Sequence, residues 1–502
     1  MRTHRIVPVA LSVVLVAAVT MSGGSAGASR RTGGNVEAPT VTGPVTGGNG
    51  APSLVGYSET FLAEMGYVGE EFFLDGTATS FAPKGVLKPD GKWKVAAGNT
   101  APYTTRMVVY RPESAGDFSG TVFVEWLNVS AGFDSAPDWL SGHTEMVRAG
   151  AVWIGVSAQA VGVQGGQESV TEEIASGGIK AGDPERYGTL NHPGDAYSYD
   201  IFSQTGVAAR NTGEFQPLGD FEVERVIAVG ESQAAFRMVT YVNAVHPRAS
   251  VFDGFLIHSR GGSAAGFDTS ENFGADDDEM PDVARIRRDV DVPVLTFQTE
   301  SDLTRLGSLA ARQRDSRNFR LWEVAGTAHA DVYTAGLAFA DIDQGAAEAL
   351  LLDPAQATGG PLGCAAPINA GPAFAVLNAA LFQLERWVAD GVAPPRAPRL
   401  ATDGEEIARD EHDNAQGGIR TPLVDVPIAT NNGEPNEGGS FCTIFGLTVP
   451  FDAATLAELY RTHDDYVEAF NASADEAVEA GFWLETDAEQ FMAAAAELPV
   501  PS

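Results

Sequence analysis

Cysteine is nearly missing from this chain: Cys364 and Cys442 are the only two in 502 residues. No C-x-x-C pair and no H-E-x-x-H stretch occurs, so the sequence offers no support for a structural or catalytic zinc site. Two cysteines admit two readings. They form one disulfide if the chain reaches an oxidising compartment, or remain two buried thiols if it does not. Histidine is scarce, eight in all, and His4 stands at the extreme N-terminus. Basic residues are also in short supply, with 32 Lys+Arg against 67 Asp+Glu and a net charge of −35. A surface of that sign repels nucleic acid and anionic membranes, so neither is an expected partner. A highly soluble exported surface accounts for the charge without naming a substrate. Beyond Met21 no run is long and apolar enough to cross a bilayer. No internal repeat is present, and no organic cofactor or metal is called for.

The N-terminus carries an address. Arg2 and Arg5 precede an apolar stretch over residues 6–21, and Ala26-Gly27-Ala28 fits a signal-peptidase site. The expectation is a signal peptide over residues 1–28, cleavage near Ala28, and secretion. No cysteine stands there to take a lipid anchor. Residues 29–52 are rich in Gly, Thr, Ser and Pro and read as a flexible linker. The hydrophobic fraction of 44% over this length suffices for one large domain or two ordinary ones. Residues 53–392 are expected to form a main domain with cap insertions, and residues 393–502 an extension packed on it. The oligomeric state is not readable.

Strand and helix signals alternate along the chain. Residues 67–82 and 102–111 alternate apolar and polar, predicting strands of an antiparallel edge. Residues 121–127 predict a central strand, followed by a loop at Asn128-Val129-Ser130-Ala131-Gly132. A helix is expected to open at Pro137, which suits a first turn, and to close at Gly150. Residues 151–156 form the next strand, ending at Ser157 before a glycine-rich loop. Residues 164–212 read as an irregular excursion whose Tyr187, His192, Tyr197 and Tyr199 either sit on a surface loop or line a cleft.

The most informative stretch is Val226-Ile227-Ala228-Val229-Gly230-Glu231-Ser232-Gln233-Ala234. A β-branched run ends at Gly230 and a helical run begins just past Ser232. Small residues flank Ser232 at −2 and +2, as a tight strand–helix turn demands. Such a turn pushes the hydroxyl out of the chain and leaves the helix's first N–H groups beside it. Ser157 also follows a strand and a glycine, but no helix follows it, so it is a decoy. Glu231 reads as a plain turn residue, able to tune substrate charge if it faces a cleft.

Here the sequence resembles the α/β-hydrolase superfamily through its G-x-S-x-G turn, with Ala234 in place of the second glycine. With the rest of the chain it looks like the large secreted α/β-hydrolase-domain proteins of bacteria. The resemblance implies a mostly parallel central sheet flanked by helices, with Ser232 as nucleophile. The acid then belongs just past the strand at residues 293–298: Asp302 matches the usual placement, and Glu300 is the alternative. His329, in Gly326-Thr327-Ala328-His329 after the strand at residues 319–324, stands where the superfamily keeps its histidine. The order Ser232, Asp302, His329 is the superfamily's order. The oxyanion donors implied are the backbone N–H of Gln233 and one from Asn128 or Val129, although the usual glycine-rich signature is absent there. His258, at the end of the strand at residues 254–258, reads as structural or cleft-lining. The acidic run Asp276, Asp277, Asp278, Glu279 matches no EF-hand spacing and reads as a mobile cap loop.

Past the histidine, an amphipathic helix is expected over residues 371–391, with Phe374, Leu377, Leu381, Leu384 and Val388 on one stripe. Residues 417–422 and 424–427 resemble a recurring segment of the same family. Helices are expected over residues 452–470, 473–480 and 486–498. The activity implied is cleavage of a small-molecule or lipid carboxylic ester through an acyl-enzyme. An amidase, an acyltransferase to a non-water acceptor, or a non-catalytic binding protein on the same scaffold are the competing readings.

Overall fold

The computed structural model of the protein describes residues 36–166, 177–267, 280–343, 345–352 and 363–501. The expected signal peptide and the acidic run Asp276–Glu279 lie outside the described residues.

One nine-stranded sheet organises them. Its strands are β1 (Thr40–Thr42), β2 (Tyr67–Pro83), β3 (Val95–Pro112), β4 (Thr121–Trp126), β5 (Val152–Val156), β6 (Arg225–Glu231), β7 (Gly254–His258), β8 (Val294–Gln298) and β9 (Phe319–Glu323). They lie in the order β1-β2-β3-β5-β4-β6-β7-β8-β9. The first three form an antiparallel edge, of which alternation predicts β2 and β3, and β3 joins β5 antiparallel. β1 corrects the expected flexible linker at residues 29–52: Thr40–Thr42 pair with β2 and Val41 is buried. From β5 to β9 every pairing is parallel. These short parallel strands are apolar almost throughout because helices cover both faces. Alternate side chains feed two cores. Phe123, Ile227, Val229, Leu256, Phe297 and Trp322 enter one; Val122, Val124, Val226, Ala228, Phe255 and Ile257 enter the other.

The helix Pro137–Arg148 begins where its proline predicts, and the buried Glu125 carboxylate accepts from the N–H groups of Asp138 (3.0 Å) and Trp139 (2.9 Å) at its first turn. A carboxylate there meets the positive end of the helix dipole. The helix Ala373–Asp390 buries the stripe read from its sequence and lies on the same face of the sheet. Gly391 ends it in the left-handed region at φ 73°.

Two further expectations need correction. The excursion at residues 164–212 is not irregular throughout: Ser198–Ala209 is a helix with eleven of its twelve residues buried. A helix buried on nearly every side has no polar stripe, so its period does not show in the sequence. Tyr187, His192 and Tyr199 are buried too, neither on a surface loop nor in the cleft described below. Near the C-terminus the helices are Ala453–Leu459, His463–Glu479 and Glu485–Glu497. The chain breaks at Tyr460 because the Thr462 side chain caps the Asp465 N–H and starts a new helix.

Residues beyond 392 complete the sheet edge and the core. Ile419 bridges Val324 in parallel, exchanging bonds with Ala325 and Glu323. Tyr466, Phe470 and Phe491 join the core that holds Phe374 and Trp322. Among the described residues no helix is long and apolar enough to cross a membrane.

Candidate active site

The parallel strands all point their carboxyl ends one way, and open α/β sheets gather ligand chemistry at that edge. Three side chains separated by up to 97 positions meet there.

Ser232 links β6 to the helix Gln233–Thr240 at φ 54°, ψ −118°, a conformation a non-glycine residue holds only when its surroundings impose it. The Ser232 N–H donates to the His258 carbonyl at 3.0 Å, fixing the turn to β7. Gly230 is needed on steric grounds, since a Cβ there would stand 2.7 Å from Met238 Cγ. Ala234 is fully buried, and its methyl is accommodated where the motif has its second glycine.

His329 follows β9 and joins the other two groups. Its Nδ1 lies 2.6 Å from Asp302 Oδ1 and its Nε2 lies 2.8 Å from Ser232 Oγ. An ionised carboxylate only accepts, so Nδ1 carries a proton. Nε2 of the neutral ring then accepts from the Ser232 hydroxyl. Asp302 is wholly buried, and its second oxygen accepts from the Thr299 N–H at 2.6 Å in the first turn of the helix Glu300–Thr304. The carboxylate is therefore held at both ends.

Glu300, the alternative acid, points elsewhere. Oε1 accepts from the Gly326 N–H at 2.6 Å, and Oε2 accepts from the Gly433 N–H and the Arg409 guanidinium, each at 3.1 Å. Its place in the first turn of the helix turns it from His329 toward the later chain, which it ties to the start of the histidine loop. Ser157 differs from expectation in one respect, since the short helix Ala160–Gln164 does follow it, but it is fully buried, bonded to Asp134 and to Arg106 Nε (2.9 Å).

The loop after β4 departs from the expected oxyanion donors. The Asn128 N–H donates to the Ser135 carbonyl at 2.9 Å, and the Val129 N–H to the Gln233 side-chain oxygen at 3.3 Å. Both are committed within the protein by the short antiparallel bridge between Asn128 and Ser135 and by the packing of the loop on the Ser232 turn. Gln233 is the first residue of the helix after Ser232, and the first N–H of a helix has no partner within that helix.

Other groups were not legible as neighbours in the sequence. Glu231 Oε1 lies 3.3 Å from His329 Nε2, and its other oxygen accepts from Asn128 Nδ2 at 3.2 Å. Burial disfavours a charged His329, but the Glu231 carboxylate and the Asp302 hydrogen bond outweigh it and raise its pKa to about 9. Burial lifts Glu231 to about 7, against the pull of His329 and His258. His258 Nδ1 pairs with Asp138 Oδ1 at 2.9 Å, which raises the pKa of the ring against the effect of burial. The only advance sign of these contacts was that Glu231 adjoins Ser232 and that His258 ends a strand. In register, Glu231 of β6 stands opposite His258 of β7.

Ser232, His329, Glu231 and His258 open into a cleft of about 450 Å³. Its far wall comes from the late chain: Phe441, Ile444 and Phe445. The Cys364–Cys442 disulfide pins that wall, and the Ala330 N–H donates to the Ile444 carbonyl at 3.2 Å, joining it to the residue after His329. Among the described residues no group of three or more His, Cys, Asp or Glu side chains is arranged to hold a metal ion.

The model of the alpha/beta hydrolase domain family matches residues 41–493. Similar solved structures include the esterase Est22, at 14% identity over 53% of this chain and 75% of that one, TM-score 0.29. Acetyl xylan esterase 1 from Thermoanaerobacterium sp. JW/SL YS485 is 12% identical over 57% of this chain and 81% of that one, TM-score 0.29. The methylesterase BT1017 is 12% identical over 57% and 52%, TM-score 0.28. No curated protein matches the sequence.

Proposed function

The chain belongs to the alpha/beta hydrolase domain family, and from that premise we propose that it is a serine hydrolase of carboxylic esters. The observation that carries the reading is the continuous hydrogen-bonded line from Ser232 Oγ through His329 to Asp302, opening into a cleft. Ser232 Oγ attacks the ester carbonyl carbon as its proton passes to His329 Nε2. Asp302 keeps the ring in the required tautomer and stabilises its positive charge. The carbonyl oxygen becomes an oxyanion beside the Gln233 N–H. Collapse expels the alcohol, which takes the proton from His329. Water, activated by His329, then attacks the acyl-enzyme; the carboxylic acid leaves and Ser232 regains its proton. The apolar side chains Phe441, Ile444 and Phe445 offer a surface for the hydrocarbon part of a small-molecule or lipid ester. Export with loss of residues 1–28 belongs to the same reading, and the Cys364–Cys442 disulfide supports an oxidising destination.

A fluorophosphonate probe tests the reading. The mature protein is expected to be labelled at Ser232, as mapped by mass spectrometry of its peptides, and to hydrolyse p-nitrophenyl esters within a graded chain-length series. A folded protein that neither takes label at Ser232 nor cleaves any of the esters would overturn it.

The reading also fixes a pH dependence. His329 acts as base only when neutral, and its pKa is raised to about 9. Activity is therefore lost below that pH and rises as pH climbs through it. Glu231→Gln removes a carboxylate 3.3 Å from Nε2. It is expected to move the midpoint of the kcat/KM profile to lower pH by roughly one pH unit or more. The check is a pair of pH–rate profiles; coincident midpoints would show that Glu231 does not set the basicity of His329.

A further inference from the structure

Acyl transfer needs donors aimed at the oxyanion, and the Gln233 N–H is one. The loop after β4 lies against the Ser232 turn, yet each of its leading N–H groups is engaged: Asn128 with the Ser135 carbonyl (2.9 Å), Val129 with Gln233 Oε1 (3.3 Å), and Ser130 with Asn128 Oδ1 (2.8 Å). One side-chain donor of this loop remains uncommitted. Ser130 Oγ is buried with no protein hydrogen-bond partner, and Ser130 lines the same cleft as Ser232 and His329. Leaving such a group unpaired is costly, so buried hydroxyls ordinarily find a partner.

We propose that the Ser130 hydroxyl is the second oxyanion donor of the Ser232 site, in place of the engaged N–H groups of Asn128 and Val129. This deepens the esterase reading and rests on it. The hydroxyl proton rotates freely about the Cβ–Oγ bond and can turn toward an incoming charge. The backbone beneath it is fixed in advance. Val129–Gly132 closes as a turn, with the Gly132 N–H donating to the Val129 carbonyl at 2.9 Å and Gly132 at φ 79°. Asn128 anchors the same turn to the nucleophile from the other side, its Nδ2 donating to the Glu231 carbonyl at 3.2 Å. The loop thus holds the Ser130 backbone in place at the cleft of Ser232, which leaves only the hydroxyl proton to orient. The bond pattern explains the missing glycine-rich signature: glycines serve to expose backbone N–H groups, and here a side chain supplies the donor.

The test is Ser130→Ala, assayed on the ester that the parent protein cleaves best, with Ser232→Ala beside it. The expected result is a fall in kcat of about 10²–10³-fold with KM changed less than roughly threefold. The affinity for a trifluoromethyl ketone, which forms a tetrahedral oxyanion adduct on a serine, should weaken in parallel. Tm should not fall, because the hydroxyl has no partner to lose. If Ser130→Ala keeps kcat within about threefold of the parent, the proposal is overturned. It is equally overturned if activity and Tm fall together, or if activity falls while the ketone binds as before. Survival of hydrolysis in Ser232→Ala would instead overturn the esterase reading itself.

Discussion

Replacing Ser232 with alanine is expected to lower kcat by about 10⁶-fold and leave substrate binding nearly intact. The methyl group cannot attack a carbonyl, and His329 then has no proton to take. The Gln233 N–H and the cleft wall remain, so a residual rate above that of water alone should persist. His329→Ala is expected to fall to a similar level, and the double variant no further than either single one, because the two residues act as one unit. The check is a double-mutant comparison of kcat on one ester under saturating substrate. Additive losses in the double variant would mean that Ser232 and His329 do not work together, whatever their 2.8 Å separation.

The second large effect separates two carboxylates two positions apart. Asp302→Asn is expected to lower kcat by about 10⁴-fold without unfolding the protein. The asparagine oxygen can still accept from the Thr299 N–H, as Asp302 Oδ2 does at 2.6 Å. Its amide group then faces His329 Nδ1 and donates to it. The ring proton moves to Nε2, which can no longer accept from Ser232. Glu300→Gln should behave in the opposite manner. Its partners are Gly326, Gly433 and Arg409, none of them at the reacting end of the site. Its kcat is expected to stay within about tenfold of the parent while Tm falls, since a buried, charge-assisted network loses its ion. Kinetics and thermal unfolding measured on both variants decide the matter; the reverse ranking would return Glu300 to the role of acid.

Much of this was legible in the sequence for a local reason. Ser232, Asp302 and His329 each stand just past an apolar strand, so their placement follows from runs of five to seven residues that announce themselves. The closing helix was readable because Phe374, Leu377 and Leu381 recur at helical spacing on a half-buried element. What escaped depends on contacts between distant positions. Distance from the strand favours Asp302 but leaves Glu300 open; the chain more than 100 residues later, at Arg409 and Gly433, shows which way Glu300 turns. The choice of Ser130 over Asn128 and Val129 depends likewise on where Ser135 and Gln233 sit. The helix Ser198–Ala209 was hidden by its own burial, which erases the polar face a reader looks for.

The wall formed by Phe441, Ile444 and Phe445 bears on the timing of biosynthesis. Ser232, Asp302 and His329 are all translated more than 100 residues before that wall, and the bonds from Gly433 and Ile444 reach back to Glu300 and Ala330. A nascent chain that has just exposed His329 therefore holds Ser232, Asp302 and His329 but lacks one side of the cleft around them. The site becomes complete only when residues 433–445 have emerged, crossed the sheet edge and been pinned to Cys364 across 78 positions. Large domains tend to pass through partly assembled species. For this one, the contacts that enclose the cleft depend on residues translated long after the ones they enclose.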